Sequence, residues 1–471
     1  MNVLAPPLIE NRTFDEISVG ESASVTRTLT DQDIQLFALV SGDVNPAHMD
    51  RAFAEDDMFH KVIAHGLWGG GLISSVLGTE LPGPGAIYLS QSLRFLRPVG
   101  LGDVITASVT VTEKRPDHHV VLLDCRCVNQ HGEDVIIGQA EVKAPTKKVR
   151  RPRIPLPDVQ IANHDRYHAL LTAAQSGVPV PTVLVHPCDA ASIAAAVEAS
   201  SLGLIIPILV GPRQKVQAAA ALASEDISAF TLIDVPHSHA AAARAVELVR
   251  AGDAQLVMKG SLHTDELISA VINAETGLRT ERRISHVYLM DVPSYPRPLL
   301  ITDAAINVAP NLEEKADIIR NAIDLAHAIG IETPRVAILA AVEIINPKMR
   351  STLDAAALCK MADRGQIVGA LLDGPLAFDN AISPAAAKDK RIVSPVAGIA
   401  DILVVPELEA GNMLAKQLSF LAGADGAGIV MGALVPIILT SRADSQRTRI
   451  ASCALAVLVA RKRIANPAVA S

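Results

Sequence analysis

Aromatic residues are scarce in this sequence, 3% of 471 residues with a single tryptophan. That scarcity argues against binding single-stranded nucleic acid by base stacking. A formal net charge of −8 argues equally against a surface that coats a phosphate backbone by charge. Five cysteines occur, at 125, 127, 188, 359 and 453, with no C-x-x-C pair and no cluster of zinc spacing. Odd in number and scattered, they fit buried thiols in a reducing compartment, and no metal site is expected from them. The start, MNVLAPPLIENR, has neither a basic n-region nor an apolar h-region of the usual length, so no signal peptide is expected. The longest apolar runs, such as LGLIIPILVG (202–211) and ALAVLVA (454–460), are too short to span a bilayer. The expectation is a soluble cytoplasmic protein.

What is present is enough for a real core. Apolar residues make up 49% and charged residues 20%, which excludes wholesale disorder. At roughly 150 residues per domain, the length suggests about three domain-sized units. Composition shifts sharply at KAPTKKVRRPRIPLP (143–157), which holds six basic residues and four prolines and no acid. Proline removes donors and like charges repel, so an extended solvated linker is expected over 146–160. It would separate a domain at 10–145 from a larger one at 161–465.

Before the linker, Thr30 followed by Asp31 and Asp33 reads as a helix cap, with Ile34, Phe37 and Ala38 as the apolar face. AHGLWGGGLISSVLG (64–78) is apolar almost all round and glycine-rich, as a buried helix approached closely by other backbone would be. In ITASVTVTEKR, Ile105, Ala107, Val109 and Val111 alternate with polar residues, and two further strand patterns follow around Gln130-His131-Gly132. Cys125 and Cys127, two apart on a strand, share one face. An α+β layer, an antiparallel sheet on a helix, is expected. After the linker, short apolar runs alternate with helical stretches: 182–187, 204–211, 254–260, 286–292, 298–306, 335–342, 367–374, 401–407 and 428–441, the last holding two strands. Such runs imply parallel strands covered on both faces, in two α/β lobes with a cleft.

The stretch SGDVNPAHMD (41–50) sets Asp43 five residues before His48. Alone it reads as an Asx-turn. Taken with IAHG (63–66) and LPGPGAIYLSQSLRFLRPVGLGD (81–103), it resembles the MaoC-like (R)-specific enoyl-CoA hydratases over about residues 14–145. The resemblance implies a hotdog fold, a sheet wrapped around one helix. It implies Asp43 and His48 as the pair that activates one water, and Gly66 as a backbone donor to the thioester oxygen. These types suit the chemistry, since imidazole is poised near neutrality and an oxyanion donor is worth on the order of 3 kcal/mol. His65 is assigned no chemistry.

In VPIILTSRADSQRTR (435–449) a buried strand ends at Thr440, and Ser441 and Arg442 follow, with Asp444 or Ser445 able to cap the next helix. Together with MKGSLHTDELI (258–268), ITDAAINVAPNLEEK (301–315), NPKMRSTLDA (346–355), DGPLAFDNAIS (373–383) and VPELEAGNMLAKQLSFLAGA (405–424), it resembles the phosphate acetyltransferase and butyryltransferase family over about 160–465. Carried over, Ser441 and Arg442 hold phosphate and the reacting carbonyl. The aspartate that many of those acetyltransferases use as base stands here as Thr448, and one of their arginines falls near Ser419. Both departures lean toward the butyryltransferase branch and leave Asp444 as either base or cap. Lys259 and Ser261 at a strand end, Asp303 at another and Asn380 are further candidates for contact with coenzyme A or phosphate.

The expectation is a bifunctional enzyme. It hydrates 2-enoyl-CoA to (R)-3-hydroxyacyl-CoA and exchanges acyl groups between coenzyme A and phosphate, with coenzyme A as substrate and no resident cofactor or metal. The resemblance also implies a homo-oligomer. Two alternatives stay open: a transferase with the hotdog unit as an assembly or CoA-ester binding module, and a non-catalytic acyl-CoA sensor.

Overall fold

Alternation of apolar and polar residues builds the first sheet, and near-continuous apolar runs build the second. The structure, a computed structural model, describes residues 7–157, 159, 161, 165–439 and 444–465. Backbone contacts divide the chain into two units, Met1–Ile161 and Ala162–Ser471.

The first unit opens with β1 (Leu8–Glu10), β2 (Ser22–Thr28), α1 (Asp31–Ser41), α2 (Pro46–Met49), α3 (Arg51–Asp56) and α4 (Gly66–Thr79). Five strands follow: β3 (Ile87–Phe95), β4 (Val104–Arg115), β5 (Val120–Val128), β6 (Asp134–Lys143) and β7 (Arg150–Pro152). The strands β2-β4-β5-β6-β3 join in that order as one antiparallel sheet. Ile105, Ala107, Val109 and Val111 are buried, as are Cys125 and Cys127. On the opposite face the hydroxyls of Thr26 and Thr106 meet at 2.9 Å. The glycine-rich helix α4 lies against the buried face, with Ile73 and Val76 inaccessible to solvent. Its glycines are a packing requirement: a Cβ on Gly69 would stand 2.4 Å from Cδ1 of Ile136. Truncating Ile73 to alanine in such a site costs about 2–5 kcal/mol. This is the hotdog arrangement. Thr30 and Asp33 form a reciprocal capping box that starts α1, and Gly42, at φ 75°, ends it.

The basic stretch departs from a free linker. Residues 150–152 are the strand β7, paired antiparallel with β1. The Arg153 N–H donates to the Pro7 carbonyl at 2.7 Å. The Lys148 ammonium lies 3.0 Å from the Glu10 carboxylate and 2.9 Å from that of Glu16. A run of cations with no acid of its own has found acids at the other end of the unit. Pro152 is tolerated because β7 is an edge strand.

The second unit begins with α5 (Asp165–Gln175), β8 (Val180–Val185), α6 (Ala190–Ser201), β9 (Ile205–Gly211), α7 (Arg213–Ala223), β10 (Thr231–Asp234) and α8 (Ser238–Ala251). Then come β11 (Leu256–Lys259), α9 (Thr264–Val271), β12 (Ser285–Asp291), β13 (Leu299–Thr302), α10 (Leu312–Ala328), β14 (Arg335–Leu339) and α11 (Arg350–Asp363). It closes with β15 (Leu371–Leu376), α12 (Phe378–Ile382), α13 (Pro384–Asp389), β16 (Ile402–Val404), α14 (Leu408–Leu421), β17 (Asp425–Met431), β18 (Ile437–Ile438) and α15 (Gln446–Ala465). All eleven strands belong to one ladder, ordered β10-β9-β8-β11-β18-β17-β12-β13-β16-β14-β15. The first five are mutually parallel, as are the last four. Antiparallel pairings through β17 and β12 splice the two groups. The two α/β lobes are thus the ends of one mixed sheet. The expectation that this length exceeds one open sheet is corrected here: β18, only two residues long, completes the join. Helix α15 is buried along most of its length, Ile450 to Val457 included, which explains its lack of a polar face. No helix among the described residues is long and apolar enough to cross a membrane.

Candidate active sites

In the first unit Asp43 and His48, the candidate pair, stand at either end of the expected turn. The Asp43 Oδ1 accepts the Asn45 N–H at 3.2 Å, the expected Asx-turn. Asn45 then caps α2 by accepting the Ala47 N–H at 3.1 Å, and Pro46 fills the first helical position, where no donor is needed. His48 therefore stands on a rigid single turn. Its Nδ1 lies 2.9 Å from the Ile63 carbonyl oxygen. A carbonyl only accepts, so the neutral ring carries its proton on Nδ1 and leaves Nε2 as a bare lone pair. The ring is thus oriented by Ile63. A carboxylate oxygen of Asp43 and one nitrogen each from His48 and His65 all lie within 4.8 Å of one another.

His65 is the residue that sequence reasoning left unassigned. It is buried, and its Nε2 donates to the Asp43 carbonyl oxygen at 3.0 Å. Its ring sits 4.1 Å from that of His48 and 4.9 Å from that of Phe37. Its Nδ1 is buried without a hydrogen-bond partner. Gly66 follows as the first residue of α4, where the amide has no acceptor within the helix and sits at the positive end of the dipole. These groups border a cavity of about 300 Å³, lined among others by His48, Gly66, Trp68, Phe95 and Arg97. The position accepts no side chain freely: a Cβ on Gly66 would meet the Phe95 ring at 3.0 Å. A lone pair and a helix-end amide on one cavity, with a carboxylate within 4.8 Å of a His48 nitrogen, can deprotonate water and stabilise an oxyanion.

In the second unit, Ser441 and Arg442 lie outside the described residues. Asp444 is half-buried, and α15 is capped by its neighbour: the Ser445 Oγ accepts the Thr448 N–H at 3.1 Å. The Asp444 charge, after burial, raises the Tyr288 phenol above the ordinary range. The ring of Tyr288 meets that of His286 edge-on at 4.3 Å. His286 is fully buried, with Nδ1 unpartnered, and burial pushes its imidazole down to about 4.

The remaining candidates sit on separate elements. Lys259, buried at the end of β11, donates to the carbonyls of Gly260 at 3.1 Å and Leu262 at 3.3 Å. Ser261 donates to the His186 carbonyl at 2.9 Å and accepts the Cys188 N–H at 3.3 Å, tying the ends of β8 and β11 together. Asp303 accepts from the amides of Ala305, Ile306 and Asn307 and from the Asn307 side chain, so its carboxylate is spent on its own loop. Burial still pushes that carboxyl up. Asn380 on α12 is fully buried, and both its amide atoms lack a hydrogen-bond partner.

Comparison with known proteins matches residues 237–457 to the family described as Phosphate acetyl/butaryl transferase. A Phosphate acetyltransferase of Rhizobium meliloti is 60% identical over 302 residues, 64% of this chain and 96% of that protein. The chain belongs to this family. A MaoC like domain, matched at residues 17–123, precedes the transferase region. A Phosphate butyryltransferase of Clostridium acetobutylicum is 46% identical over 263 residues, 56% of this chain and 87% of that protein. Among solved structures, a branched-chain phosphotransacylase from Enterococcus faecalis V583 superposes with a TM-score of 0.54 at 29% identity, covering 60% of this chain and 99% of that one. The lean toward the butyryl branch drawn from Thr448 and Ser419 is not matched by identity, which is higher to the acetyltransferase.

Proposed function

We propose that this chain is a bifunctional acyl-CoA enzyme. Its first unit adds water to 2-enoyl-CoA to give (R)-3-hydroxyacyl-CoA. Its second exchanges an acyl group between coenzyme A and inorganic phosphate, giving acyl phosphate and free coenzyme A. The observation that carries the reading is the cluster of Asp43, His48 and His65 beside a cavity that His48 and Gly66 line inside the MaoC-like domain, on a chain whose remainder matches 96% of a phosphate acetyltransferase.

In the hydratase, His48 Nε2 takes a proton from a water held between it and Asp43, and the oxygen attacks the β-carbon. Charge moves to the thioester oxygen, which the Gly66 N–H receives. The α-carbon takes its proton from the same acid–base pair. In the transferase, Arg442 clamps phosphate and Ser441 donates to the reacting carbonyl. A coenzyme A thiol of ordinary pKa near 8.5 needs a base, and Asp444 is the acid nearest to Ser441 in the chain. Lys259, Ser261 and Asp303 hold loops at strand ends, and the buried Asn380 amide, without a hydrogen-bond partner, is suited to contact coenzyme A or phosphate. Coenzyme A and its thioesters are substrates, and no step calls for a resident metal. We place the enzyme in the cytoplasm as a homo-oligomer. The edge strand β3 exposes Ile87, Leu89 and Phe95, which favours pairing with a second copy.

The test is to assay the full chain for crotonyl-CoA hydration and, separately, for acyl phosphate formation from acyl-CoA and phosphate. Absence of the first rate removes the hydratase; absence of the second removes the transferase.

A further inference from the structure

A second cavity, of about 370 Å³, lies in the transferase unit beside the first turns of α15. Its walls include Tyr167 and Leu170 of α5, Leu289 of β12, Ala427 of β17, and Ala451 and Leu458 of α15. The space exists because several of the residues around it are small. Ala169, Ala173, Gly426, Ala427 and Ala451 are among them, and a Cβ on Gly426 would already crowd the Met290 sulfur at 3.3 Å. Charge borders this apolar interior. Arg166 pairs with Asp291 at 2.6 Å, and Arg447 faces Asp425 at 3.3 Å. The Arg447 guanidinium also lies over the Tyr167 ring, 4.2 Å from its centroid. Thr448 completes the wall.

An apolar chamber edged by ions suits a ligand with a hydrocarbon tail and a polar head. At about 30 Å³ per heavy atom, it has room for on the order of ten such atoms. An acetyl methyl would leave most of it empty. Its location adds a second argument. Arg447 and Thr448 follow Ser441 by six and seven residues, so the wall lies close in the chain to the pair expected to hold the carbonyl.

We infer that this cavity receives the tail of the transferred acyl group, and that the transferase works on acyl chains of four to eight carbons in preference to acetyl. The inference rests on the transferase reading and deepens it. The head, a thioester or acyl phosphate, stays at the charged edge while methylenes enter the space between α5 and α15. Each buried methylene should raise kcat/KM about fourfold.

The test uses the intact protein with phosphate and acetyl-, butyryl-, hexanoyl- and octanoyl-CoA. In the wild type kcat/KM should climb from acetyl to hexanoyl by at least tenfold. Ala451→Leu should lower the hexanoyl-to-acetyl ratio tenfold or more. Ala169→Leu, on the exposed side of α5, narrows the same space from the opposite wall and should act likewise if the first variant fails to fold. A wild-type profile that is flat or favours acetyl overturns the inference, as does a ratio unchanged in a folded variant; both leave the transferase reading standing. If no acyl-CoA is turned over, the transferase reading falls and takes the inference with it.

Discussion

The Nδ1 of His48 stands 2.9 Å from the carbonyl oxygen of Ile63. That one contact selects the tautomer and leaves Nε2 as the basic nitrogen, in a ring that has a nitrogen within 4.8 Å of an Asp43 carboxylate oxygen. Asp43→Asn keeps the Asx-turn, because the amide oxygen can still accept the Asn45 N–H, but removes the charge. Crotonyl-CoA hydration should fall by two to four orders of magnitude, the range of a lost acid–base group, while acyl phosphate formation by the same preparation stays unchanged. Hydration within tenfold of wild type would end the assignment of Asp43.

Gly66 allows its N–H to be tested apart from its missing side chain. It is the first residue of α4, where proline is tolerated, and His65 before it is at φ −57°, ψ 133°, a conformation compatible with a following proline. Gly66→Ala retains the N–H and adds only the contact with Phe95. Gly66→Pro adds a similar contact and deletes the donor. The proline variant should be slower in hydration than the alanine variant by a further 10²–10³-fold. Equal rates would show that the amide is not the oxyanion donor.

Ser445 caps α15, and the part of general base is proposed for its neighbour Asp444. Ser445→Ala should cost about 1 kcal/mol of stability through loss of the α15 cap, with transfer kinetics little affected. Asp444→Asn should leave the unfolding midpoint in place and lower kcat for acyl transfer by 10²–10⁴-fold, as removal of a general base does. Urea titration and steady-state rates on both variants check the division. A reversed pattern, with Asp444→Asn unstable and active, would return Asp444 to a structural part.

His286 makes stability depend on pH. Burial holds its imidazole at about 4, below the ordinary 6.5. Between those values the unfolded chain binds a proton that the folded chain does not, so stability increases with pH across that window. The contribution is complete above about pH 6.5 and lost by about pH 4, amounting to roughly 3 kcal/mol. Denaturant melts at several pH values should show this slope in the wild type and a shallower one in His286→Asn. Parallel slopes would mean that other groups carry the dependence.

Much of this was legible in the chain itself. The alternation Ile105-Ala107-Val109-Val111 marked a half-buried strand because its partner face is a helix. Thr30-Asp33 marked a helix start because both halves of a capping box are local. Asp43 and His48 could be singled out because Asn45-Pro46 between them fixes their geometry over five residues. His65 could not, since its contacts with the Asp43 carbonyl and the rings of Phe37 and His48 are made only after folding. The eleven-strand ladder was hidden for a similar reason. It depends on β18, two residues with no periodicity of their own, and on antiparallel pairings across long separations. The part-ordered linker was misjudged because its partners, Glu10 and Glu16, lie more than a hundred residues earlier.

The ribbon formed by β1 and β7 bears on how the protein can be cut. A hydratase fragment ended at residue 145 would strip β1 of its partner strand β7 and leave a bare row of amides and carbonyls ready to pair with other molecules. It would also strand Glu10 and Glu16 without Lys148. An excised domain that stays dispersed should therefore carry its cationic tail through Arg153, and the shorter version should clump.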